Sequence, residues 1–253
     1  MTEVLLTALG VGGATVVGAL LGFMIKAPSH KMNDVILSFA AGVMLAASVI
    51  GLVLPAIEAG GGWWGILVAV AGVFAGALCL NLIDRVVPHL HRVTGVDQEA
   101  HPEKVEQINR VLLFVIAIAI HNLPEGIAAG VSFGSGDVGQ ALTVAGGIAL
   151  QNIPEGMVII APMLAAGITP RKTFLIALGT GLVEVVGTLL GYFAVQVSTL
   201  ILPFALAFAG GTMLYVISDE MIPETHAHGN ERAATYALLT GFCLMLVFDF
   251  FVN

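Results

Sequence analysis

The chain has 253 residues, 58% of them hydrophobic and only 10% charged, and its mean hydropathy is +0.99. A soluble domain carries about 25% charged residues, so most of this chain belongs in a medium other than water. The net charge of −8 is modest and spread out, which argues against a nucleic-acid partner and is compatible with a cationic one.

A helix that crosses a bilayer needs about 20 apolar residues. Eight segments meet that requirement: 4–25, 34–57, 63–83, 111–133, 139–164, 173–196, 199–217 and 234–252, the seventh being the shortest. The first follows Met1-Thr2-Glu3 with no basic region before a long apolar run, so it reads as a true span and not a cleaved leader. No stretch is left over for a soluble domain. Residues 1–253 read as one transmembrane domain whose longest connection is 84–110. The 31 glycines suit helices that pack closely. Cys79 and Cys243 fall inside apolar runs and read as small buried hydrophobes.

The basic residues then set the orientation. Lys26, Lys31, Arg85, Arg92, Lys104, Arg110, Arg171, Lys172 and Arg232 all fall in the first, third, fifth and seventh connections. Positive charge stays on the cytoplasmic side, so these connections face inward and both termini face outward. A missed or invented span would break this sorting.

Ionisable residues at the bilayer centre cost roughly 3 kcal/mol each and need a reason. Near the middle of the fourth span stands His121-Asn122-Leu123-Pro124-Glu125-Gly126, and near the middle of the fifth Gln151-Asn152-Ile153-Pro154-Glu155-Gly156. Glu184 lies at similar depth in the sixth. His121 and Glu125 are four residues apart and share a helix face, as do Gln151 and Glu155. Asn122 and Asn152 sit about 100° around, where they serve an adjoining position. Each proline removes a helical hydrogen bond, freeing the carbonyl of Ile120 or Leu150, and irregular backbone at this depth is tolerated where it lines a cavity. The glycine that follows gives room for close approach. One imidazole, carboxylates and amide oxygens suit borderline divalent ions such as Zn²⁺, Fe²⁺ and Mn²⁺. A set without thiols binds loosely enough to release its cargo.

At these residues the chain resembles the ZIP family of divalent-metal transporters, in its bacterial-type branch. The resemblance covers the whole chain and includes Ser218-Asp-Glu-Met-Ile-Pro-Glu-Thr-His226 after the seventh span. It implies an all-α integral membrane fold of eight helices with a binuclear site at the midplane between helices 2, 4, 5 and 6. The first position would use His121, Glu125, Gln151 and Glu155, with Met44 of Phe39-Ala-Ala-Gly-Val-Met44 as a thioether ligand. The second would use Asn122, Asn152 and Glu184, bridged by Glu125 and Glu155. Relatives often carry Asp where this chain has Asn152, which leaves the second position short of a charged ligand. Asp249 matches a residue at the metal entrance. The resemblance also implies import of zinc or a similar ion (Cd²⁺, Fe²⁺, Mn²⁺) across the cell membrane by alternating access, and homodimers in the bilayer.

Six of the seven histidines fall in inward connections. His89, His91 and His101 in the 84–110 connection, and Asp219, Glu220, Glu224, His226 and His228 after the seventh span, form candidate exit or acceptor groups. Two other readings compete with a carrier. An intramembrane metal-dependent hydrolase needs an open coordination position and an activated water, but His-Glu-x-x-His is absent and no Ser or Cys neighbours a candidate base. A non-transporting metal sensor would share the site and lack flux. No Walker A pattern is present, and the chain is read as a carrier and not as an enzyme.

Overall fold

In hydrocarbon a chain must satisfy every backbone N–H and C=O internally, so the apolar runs become helices. The computed structural model describes residues 2–25, 29–86 and 105–253, apart from the side chains of 84–86, 105–118 and 199. Among these residues there is no strand. The helices are α1 (Thr2–Met24), α2 (His30–Gly60), α3 (Gly62–Val86), α4 (Val105–Gly134), α5 (Val138–Ala165), α6 (Pro170–Val197), α7 (Leu202–Thr225) and α8 (Glu231–Val252). All except α4 carry a stretch long and apolar enough to cross a membrane among the described residues. Helix α4 has 30 residues and is therefore about 45 Å long, more than the hydrocarbon core of about 30 Å.

Local chemistry explains the ends. Ser29 caps α2 by accepting from the Met32 amide at 3.2 Å, and Asp137 caps α5 by accepting from Gln140 at 3.0 Å. The turn between α2 and α3 runs through Gly61 and Gly62 at φ of 68° and 49°, a region glycine enters without steric cost.

Two helices widen near their C-terminal ends. A π-helical turn spans Val49–Val53 in α2 and another Ile217–Met221 in α7, each followed by a proline, Pro55 and Pro223. The second corrects the sequence boundary. The seventh span, expected at 199–217 and the shortest, continues to Thr225 and covers 24 residues, against 22 in α8. Helical backbone absorbs the polar Ser218-Asp219-Glu220, which in an apolar scan ends the run. Asp219, Glu220 and Glu224 therefore sit on helix and not on a loop. Arg171, Lys172 and Arg232 likewise lie in the first turns of α6 and α8. The break in α5 comes at Ile159, beyond Pro154, which lies within continuous helix.

Small residues set which helices touch. A methyl on Gly126 of α4 would run into the Glu184 carbonyl of α6, and one on Gly156 of α5 into the Thr15 carbonyl of α1. Gly12 of α1 and Gly181 of α6 face one another in the same way. These approaches bind α1, α4, α5 and α6 into one group. Gly42 and Gly241 clasp α2 to α8, and Gly211 brings α7 onto α3, making a second group. Between the groups lies an apolar cluster that includes Met44 and Leu52 of α2, Val144 and Ile148 of α5, and Met213 and Ile217 of α7.

The helix ends sort onto two faces. Asn253 donates to Thr143 at 3.0 Å, which puts the C-terminus beside the α4–α5 turn. On the opposite face His228, between α7 and α8, bonds Asp34 at the start of α2 at 3.0 Å. That alternation is what antiparallel crossings require.

Candidate metal centre

The two Pro-Glu-Gly motifs meet Glu184 inside the first helix group. Asn122, Glu125, Gln151, Asn152 and Glu184 are each 3% exposed or less, while His121 and Glu155 are half-buried. The four-residue spacings do what the helical period requires. On α4 the His121–Glu125 face and on α5 the Gln151–Glu155 face converge, and Glu125 has Glu155 and Glu184 as its charged neighbours. The glycines after each glutamate bring the backbones of α6 and α1 against the motifs, so the polar side chains are forced into the space between helices.

Two carboxylates of equal burial are treated in opposite ways. Glu184 accepts on Oε1 from Thr15 Oγ1 at 2.7 Å and from Asn122 Nδ2, and on Oε2 from Asn152 Nδ2 at 2.6 Å. Asn152 Nδ2 also donates to the Val11 carbonyl at 3.2 Å. Neither oxygen of Glu125 has a hydrogen-bond partner, and neither does either terminal atom of the Gln151 amide, which lies beside Glu125 without meeting bonding geometry. A buried polar group without a partner costs about 1–3 kcal/mol, and more when charged. Such groups persist where a ligand completes them.

His121 is held from outside the predicted midplane ligands, by a residue expected at the exit. Its Nε2 lies 3.0 Å from the Glu220 carboxylate, in the π-helical turn of α7, and Glu155 has both His121 and Glu220 as charged neighbours. Because His121 engages Glu220 and Glu184 faces its own donors, no three His, Cys, Asp or Glu side chains among the described residues are arranged to hold an ion by themselves. Of the site's buried side-chain oxygens, those of the Glu125 carboxylate, the Gln151 amide oxygen and Asn152 Oδ1 have no hydrogen-bond partner.

The remaining sequence candidates are placed as follows. Met44 is buried on α2, in the apolar cluster shared with α5. Asp249 lies near the end of α8, accepting from Thr143 at 3.1 Å and Asn253 at 2.9 Å. His226 engages the Ile222 carbonyl at 2.8 Å and Thr235 at 3.2 Å, so its ring faces its own helix end and α8. His228 bonds Asp34 and stacks on His30 with ring centroids 5.0 Å apart. Asp219 is exposed, and Glu224 is half-buried. His89, His91 and His101 lie outside the described residues. Sequence reasoning missed Thr15, Val11 and Asp34. Thr15 lies on the small-residue face of α1, one turn beyond Gly12. Asp34, an ionisable residue at the edge of an apolar span, was the more visible signal.

The family described as ZIP Zinc transporter matches residues 89–249. A protein named zinc transporter ZIPB from Bordetella bronchiseptica is 41% identical over 93% of this chain and 77% of its own length. Zinc transporter GufA from Myxococcus xanthus is 42% identical over 97% of both chains. Zinc transporter ZIP11 from Homo sapiens is 30% identical over 94% of this chain and 93% of its own.

Proposed function

The chain belongs to the ZIP zinc transporter family, and from that premise we propose that it carries Zn²⁺, and similar ions such as Cd²⁺, Fe²⁺ and Mn²⁺, across the cell membrane into the cytoplasm. The observation that carries this reading is the buried pair Glu125 and Gln151, whose four terminal polar atoms have no hydrogen-bond partner. A divalent cation between α4 and α5 would complete the two Glu125 oxygens and Gln151 Oε1, with His121, Glu155 and Met44 as the further ligands of that position. Carboxylate, amide oxygen, imidazole and thioether form a borderline set that favours Zn²⁺ over Mg²⁺.

Both termini face outward in this reading, so Asp249 stands near the entrance and the Glu220 end of α7 near the exit. The His121–Glu220 bond then lies on the inward route. Release requires His121 to exchange its ion for Glu220, and Asp219, Glu224, His226, His228, His89, His91 and His101 receive the ion beyond. The two helix groups meet across α2 and α5 and across α4 and α7, and sliding of one against the other would open the site to each face in turn. A homodimer within the bilayer fits the same reading.

Reconstituted protein tests it. Wild type should take up Zn²⁺ into proteoliposomes with saturable kinetics, inhibited by Cd²⁺ and not by excess Mg²⁺. Folded, metal-bound protein that moves no ion would reject transport and favour a sensor.

A further inference from the structure

Glu184 lies close to Glu125, and the two glutamates and two asparagines of the paired motifs invite a two-ion site. The hydrogen bonds around Glu184 argue otherwise. Three neutral donors reach its carboxylate from three helices: Thr15 of α1, Asn122 of α4 and Asn152 of α5. An amide nitrogen has no free lone pair and cannot ligate a metal, so an asparagine contributes to an ion only through Oδ1. The orientation of Asn152 is set by two acceptors at once, because the same Nδ2 that reaches Glu184 donates to the Val11 carbonyl at 3.2 Å. Turning the amide over would bring Oδ1 against both the Val11 carbonyl and Glu184 Oε2, two acceptors with no proton between them. Asn152 Oδ1 has no partner, so with Glu184 taken up by its donors residue 152 adds one neutral oxygen beside the Glu125 and Glu155 carboxylates that already serve the first ion, too little to hold another divalent cation.

We infer that this chain carries one ion at a time, and that Glu184 with Thr15, Asn122 and Asn152 forms a hydrogen-bonded clasp joining α1, α4, α5 and α6 in place of a second ion. The inference rests on the reading of the Glu125 position as the ion site and assigns Asn152 the part that sets ion number. A carboxylate at residue 152 could donate to neither Val11 nor Glu184, and two facing carboxylates would call for a cation. The asparagine supplies the two N–H groups that make that cation unnecessary.

Purified chain in detergent, dialysed against Zn²⁺ and counted by elemental mass spectrometry, decides the matter. Wild type should bind one ion per chain, Asn152→Asp two, and Glu184→Gln one. Two ions in wild type would overturn the inference, as would a single ion that is lost in Glu184→Gln and kept in His121→Ala. Should Glu184→Gln fail to fold, the wild-type count alone separates one ion from two. One bound ion without flux in proteoliposomes would refute the transport reading and still support the single-ion assignment.

Discussion

Glu125 and Glu184 are equally buried and at similar depth, yet one carboxylate has no hydrogen-bond partner and the other has three. The difference lies in what faces each. Glu125 looks across at a second motif that carries another acid and an unpartnered amide, whereas Glu184 looks at hydroxyl and amide donors on α1, α4 and α5. A buried charge met by fixed donors is finished structure. A buried charge met by further oxygens is the arrangement that a cation would complete. In a membrane, where a stranded polar group has no water to turn to, this distinction separates a helix clasp from a transport site more sharply than burial or charge alone.

The largest expected effect breaks the comparison on the Glu125 side. Glu125→Ala removes a charged ligand from a buried site, which costs at least about 3 kcal/mol, so uptake should fall roughly 100-fold or more. Glu155→Ala should behave likewise, and wild-type flux in either variant would refute the ligand assignment. On the Glu184 side the readout moves from transport to stability. Thr15→Val deletes one donor to a carboxylate that keeps two. It should lower the stability of the detergent-solubilised chain by about 1 kcal/mol, measured as a drop in Tm, while leaving the ion affinity near its wild-type value. A Zn²⁺ affinity that falls with Tm would mean Glu184 serves the ion after all.

A smaller effect concerns the way out. Glu220→Gln keeps the size of the side chain and removes the charge beside His121, so it should slow uptake several-fold without changing the number of bound ions. Uptake that is unchanged would detach Glu220 from the route. The smallest effect is expected from replacing His89, His91 and His101 together, which should leave core transport standing. Abolished uptake there would overturn the view that the 84–110 connection only receives ions already released.

The placement of the central motifs was legible in the sequence because their signal is strong and local: charge in an apolar run costs so much that it needs a partner, and the four-residue spacing gives the face without any structure. Seven of the eight expected spans were equally legible, each returning as a helix long and apolar enough to cross a membrane. The parts that escaped depend on contacts between distant residues. Thr15 reaches Glu184 across 169 residues of sequence, and nothing marks it among the hydroxyls of an apolar helix, which commonly satisfy themselves on their own backbone. The pairing of His121 with Glu220 depends on the π-helical turn at Ile217–Met221, which continues α7 through residues that a hydropathy scan reads as its end. Asn152 stands out in the sequence as a departure from the acidic residue of relatives, but the Val11 carbonyl and Glu184 together explain which way its amide points.

Anomalous scattering from crystals of the Zn²⁺-loaded protein tests the contrast most directly, because it locates each ion without a mutation. One peak within bonding distance of Glu125 and Gln151, with none beside Glu184, is the expected result. A peak coordinated by Glu184, or no peak at Glu125 in protein that binds Zn²⁺, would contradict it.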